Sequence, residues 1–107
     1  MFFEAKDYRE AARILEPVVE LEPGNRAVVE LLGRAYFHSA QLGRAEGVFR
    51  RLVELDPCNG WAYQALARTL DRRSRGEEAE LYRKMARAMG AEDVTAVDVS
   101  VYAAELA

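Results

Sequence analysis

The sequence predicts an all-α fold made of antiparallel helix-turn-helix units stacked side by side, and three observations predict it. The segment Glu20-Leu21-Glu22-Pro23-Gly24-Asn25 returns as Glu54-Leu55-Asp56-Pro57-Cys58-Asn59, which sets Pro23 and Pro57 34 residues apart, the length of one helix-turn-helix unit in a stacked array. Between and beyond those marks Leu32, Tyr36, Phe49, Leu52, Leu66 and Leu70 recur at helical spacing, which makes them a core rather than a cofactor site. Proline, asparagine and glycine punctuate the chain where helices have to stop and start.

Five helices and a tail follow in order. The first is expected to begin near Asp7, which with Glu10 three positions later has the form of a capping box. Pro17 falls inside this helix, where it removes a backbone donor and crowds the preceding turn, so a kink is expected. The second helix runs from about Asn25 to Ser39 and the third from about Leu42 to Leu55. Asn25 is a good N-cap, and Pro23 and Pro57 each stand just past a helix end, where proline blocks continuation. Asn59 opens the fourth helix, which ends near Arg73. The fifth runs from about Gly76 to Met89 and stops at Gly90, a residue suited to a left-handed cap. Gly33 opposite Ala45, and Ala67 opposite Ala79, are small enough for paired helices to approach closely.

The middle unit carries a recognisable pattern. Leu32, Gly33, Tyr36, Ala45, Phe49 and Pro57 match the order Leu-Gly-x2-Tyr, Ala-x3-Phe, Pro, with Val29 in place of the leading aromatic. The chain therefore resembles the tetratricopeptide repeat family. That resemblance implies a short right-handed α-solenoid, a role in binding other proteins, and no catalysis. It spans residues 1–90, read as a half repeat 1–24, a full repeat 25–58 and a full repeat 59–90, with 91–107 as a capping segment or tail. Upstream, Ala11, Leu15 and Pro23 match the second half of a unit, with Tyr8 in the turn before that helix. Downstream, Tyr63, Leu66, Ala67, Leu70, Ala79 and Ala86 keep the register, but Arg83 stands where Phe49 stood.

Composition narrows the function classes. The 107 residues are 50% hydrophobic and 31% charged, enough for one domain with one modest core. No apolar run is long enough to span a membrane and no secretory signal is read, so a soluble cytoplasmic protein without membrane contact is expected. The single Cys58 fits a reducing compartment and forms no internal disulfide. Thirteen arginines against two lysines suggest a GC-rich bacterial genome. One His and one Cys build no closed zinc site, and His38-Ser39 lacks a nucleophile motif, so neither metal, cofactor nor enzymatic activity is expected. Arg68, Arg72, Arg73 and Arg75 are followed at once by Glu77, Glu78 and Glu80, and the chain is net −3, which argues against nucleic acid.

In the resembled architecture the exposed face of each unit's first helix lines a concave groove. That face carries Ala27, Glu30, Arg34, Phe37 and His38 in one unit and Trp61, Gln64, Arg68, Asp71 and Arg72 in the next. Arg34 and Arg68 are one period apart, and guanidiniums beside Trp61 suit an extended peptide carrying a carboxylate. A solvated face, its arginines paired with Glu30 and Asp71, is the alternative. Some family members clamp a C-terminal carboxylate with lysine and asparagine; here Glu30 and Arg34 stand in those places, so chaperone C-termini are not expected ligands. The ends supply a second reading, self-association into a homodimer. Phe2, Phe3, Tyr8, Ile14, Leu15 and Val18 form an apolar face lacking a partner from their own unit. In the tail, Val97, Val99 and Val101 alternate with Asp98 and Ser100 as a strand would, whereas Val94, Val97 and Val101 share a helical face. A capping helix, an extended segment and disorder all stay open.

Overall fold

The computed structural model describes residues 5–91, with side chains from Asp7 onward. They form helices α1 (Ala5–Leu21), α2 (Arg26–His38), α3 (Leu42–Leu55), α4 (Gly60–Arg72) and α5 (Gly76–Ala88), and no strand among the described residues. Each helix packs on the next, so the pairs α2–α3 and α4–α5 stand in line behind α1. Readings placed on the tail, and on Phe2, Phe3, Val97, Val99 and Val101, lie outside the described residues.

Asparagines start two of the helices. The side chains of Asn25 and Asn59 accept from the backbone N–H of Val28 and Ala62 at 3.3 and 3.1 Å, satisfying donors that the first turn leaves open. Helix ends follow an equally regular rule. After α2, the N–H of Gln41 donates to Tyr36 O at 2.8 Å and that of Ala40 to Phe37 O at 3.1 Å. The same pair of bonds recurs from Arg75 to Leu70 O and Ser74 to Asp71 O, and from Ala91 to Ala86 O and Gly90 to Arg87 O. These are Schellman motifs, whose pivot residue must be left-handed. Ala40, Ser74 and Gly90 have φ of 61°, 62° and 88°.

The first helix departs from expectation. It begins at Ala5, so Asp7 lies in its first turn rather than at its cap, and Tyr8 lies within the helix rather than in a turn. Ala5 and Lys6 are good helix formers and extend it backwards. Pro17 is inside α1 without ending it.

Between the helices lies one core. Val29, Leu32 and Tyr36 of α2 meet Ala45, Phe49 and Leu52 of α3 and Leu66 and Leu70 of α4, all buried, each of the larger side chains contributing about 1.5–3 kcal/mol. Gly33 is a space requirement rather than a turn: a Cβ there would strike the Phe49 ring. A polar network ties α3 to the next pair. Glu46, 8% exposed, accepts from Arg50 Nε at 2.9 Å, Arg73 at 2.7 Å and Arg75 at 2.8 Å, and Arg50 and Arg75 both reach Glu78 on α5. Burial pulls the Glu46 carboxyl upward, but hydrogen bonds from Arg50 and Arg73 and the surrounding charge outweigh it and hold it below the usual carboxylate range.

Candidate interaction groove

The side chains predicted for the groove come together because α2 and α4 occupy the same place in successive units. Trp61 in the first turn of α4 reaches the middle of α2, where the Arg34 guanidinium lies 4.6 Å from the centre of its ring. Phe37 in the last turn of α2 is covered in turn by Arg68 and Arg72, at 5.5 and 5.1 Å from its centre. Each guanidinium therefore rests on an aromatic of the neighbouring unit, an arrangement worth about 0.5–1 kcal/mol per exposed contact. His38 extends the aromatic strip, edge-on to Phe37 with ring centres 5.5 Å apart and tilted against Tyr8 at 4.7 Å.

A small cavity of about 60 Å³ sits under this strip, lined by Arg34, Phe37, His38, Phe49, Trp61, Ala65 and Arg68. Phe49, read from the sequence only as core, shares its ring with this site and packs edge-on to Trp61 at 5.8 Å. Two wider hollows adjoin the cavity. One is formed by Phe37, Arg68, Asp71 and Arg72, the other by α1 and α2 with Ala11, Leu15 and Leu31 among its walls.

The charges are unevenly matched. Glu30 pairs with Arg34 at 2.9 Å along α2. Asp71 turns away to Arg83 on α5, and among the described residues no carboxylate forms an ion pair with Arg68 or Arg72. Burial holds the His38 imidazole below its ordinary value, and the positive charges of Arg68, Arg34 and Arg72 push the same way. Both effects favour the neutral imidazole over its cation.

Not every predicted residue is available. Gln64 is 4% exposed, which removes it from the groove surface. Its helical position follows from the repeat, but Ala62, Ala65 and Ala67 are small enough for the surroundings to close over α4. Of the α1 residues read as a self-association face, Ile14 is exposed and Tyr8, Leu15 and Val18 are half-buried. Leu31, one period before Ala65, is half exposed beside them.

Among the described residues no three His, Cys, Asp or Glu side chains converge as a metal site, and no helix is long and apolar enough to cross a membrane. Comparison with curated proteins finds no match. The tetratricopeptide repeat family model matches residues 2–57, just over half of the chain, covering α1, α2 and α3. Such repeats are generally protein-interaction modules and typically non-catalytic scaffolds. The helix pairs, their 34-residue period and this match together make the chain a member of the tetratricopeptide repeat family.

Proposed function

We propose that the protein is a non-catalytic scaffold that binds a carboxylate-bearing peptide or protein segment across α2 and α4. The carrying observation is that Arg68 and Arg72 are oriented by Phe37 and left without an acidic partner among the described residues, beside a cavity walled by Trp61. A guanidinium held over a ring is preorganised, so little entropy is lost when it takes a carboxylate bidentately. Trp61 and Phe37 supply the apolar contact that lifts such a site above charge attraction alone. Glu30 pairs with Arg34, and His38 and Arg72 both lie against Phe37.

The test is a selection of random peptides on the folded chain, followed by titration of the recovered sequences against Trp61→Ala and Arg68→Ala. Acidic peptides are expected, with affinity falling about tenfold or more in each variant while the helical circular dichroism is kept. Peptides without acids, or equal binding by both variants, reject the reading.

A further inference from the structure

The two units carry side chains of different size at one equivalent place on their first helices. Leu31 on α2 and Ala65 on α4 stand one 34-residue period apart, Leu31 51% exposed and Ala65 9% exposed. Ala65 lines the cavity of about 60 Å³, flanked by Trp61 one turn before it and Arg68 one turn after it on the same stripe of α4. Phe49 gives that cavity a wall that does not yield. Its ring is 2% exposed and lies so close to Gly33 that a Cβ there would strike it. The cavity is therefore formed before any ligand arrives.

Its size and lining select what can enter. A benzene ring is held by a cavity of about 150 Å³, so an aromatic side chain is too large for this one. A lysine or arginine of the partner is repelled by Arg34 and Arg68 in the lining and by Arg72 against the same Phe37 ring. Phe37, Phe49, Trp61 and Ala65 offer apolar walls, and Leu31 shows the size of side chain that the equivalent place holds in the unit before. Arg68 also borders the hollow formed with Phe37, Asp71 and Arg72, where Asp71 is held by Arg83. The unpaired guanidiniums thus lie one to two turns along α4 from Ala65, about 5–10 Å. Side chains on one face of an extended chain recur about every 6.6–6.8 Å, two residues apart, which fits that separation.

We propose that the partner segment is extended and carries a Val, Leu or Ile side chain two residues from its carboxylate, the aliphatic group entering the cavity over Ala65 while the carboxylate takes Arg68 and Arg72. Ala65 is then a specificity-determining residue, because a leucine there, as in the preceding unit, closes the cavity. The assignment rests on the carboxylate-binding groove proposed above and adds the second side chain that the groove reads.

Random peptides are selected in parallel on the parent chain and on Ala65→Leu, with folding checked by helical circular dichroism and melting temperature. The parent is expected to enrich acids together with Val, Leu or Ile two positions away. The variant is expected to keep the acids and lose the aliphatic preference. A recovered peptide and its copy with alanine at the aliphatic position are then titrated against both chains. The replacement is expected to weaken binding to the parent about tenfold or more, and binding to Ala65→Leu less than about twofold. Acids without aliphatic enrichment, or an equal loss on both chains, overturn the assignment and leave the carboxylate groove standing, whereas absence of acids removes the groove as well. Should Ala65→Leu not fold, the smaller Ala65→Val carries the same comparison. Light scattering tests the other occupant: a parent mass above one protomer that Ala65→Leu returns to one would seat a second copy in the cavity and overturn the proposal.

Discussion

Ala40 and Ser74 are where single residues work against their own backbone. Both hold the left-handed conformation that closes a Schellman motif, and both carry a side chain there, which costs about 1–2 kcal/mol relative to the right-handed region. Gly90 closes the third such motif at φ 88° without that penalty. Ala40 is exposed, so removing its methyl group loses no packing. Ala40→Gly is therefore expected to stabilise the fold by about 1 kcal/mol, read as a rise of about 4–8 °C in the melting temperature. An unchanged or lower melting temperature would show that the chain entropy glycine adds to the unfolded state outweighs the relief of strain.

Glu46 belongs to the scale of elements, since it joins the side of α3 to the turn before α5. Three guanidiniums converge on it, and removing its charge leaves them facing one another beside a largely buried site. Glu46→Gln is expected to destabilise by about 2 kcal/mol at pH 7. The pH dependence follows from the sign of the shift. The carboxyl is held below its usual range when folded, so its contribution is fully present above the unfolded value and is lost as pH falls through the folded one. The difference in melting temperature between parent and variant should hence shrink below about pH 4. A difference that stays constant down to pH 2 would assign the effect to shape rather than charge.

For the molecule as a whole, stability is set by how many neighbours each helix has. Nine residues of α4 are buried, while α1 buries Ala12 and Val19 among its described side chains. Stacked repeats interact only with adjacent units, so the end helix opens at lower free energy than the middle. In a dilute monomeric sample, amide exchange is expected to be slowest in α4 and at least about tenfold faster in α1. Equal protection across all five helices would mean one cooperative unit instead.

Much of this architecture was legible from particular residues. Asn25, Asn59 and the two prolines located four helix ends to within about two residues, since caps and stops act through local backbone chemistry. The predicted core of Leu32, Tyr36, Phe49, Leu52, Leu66 and Leu70 is buried, because a 34-residue period leaves each helix one face to hide. The repeat also placed Arg34, Phe37, Trp61, Arg68 and Arg72 on one surface. Only the tertiary structure decided who meets whom there: that Asp71 turns to Arg83 instead of its arginine neighbours, that Gln64 is covered, and that Phe49 lies under the groove. Periodicity assigns a residue to a face, but pairing depends on side-chain reach between helices that are distant in sequence, which no local rule encodes.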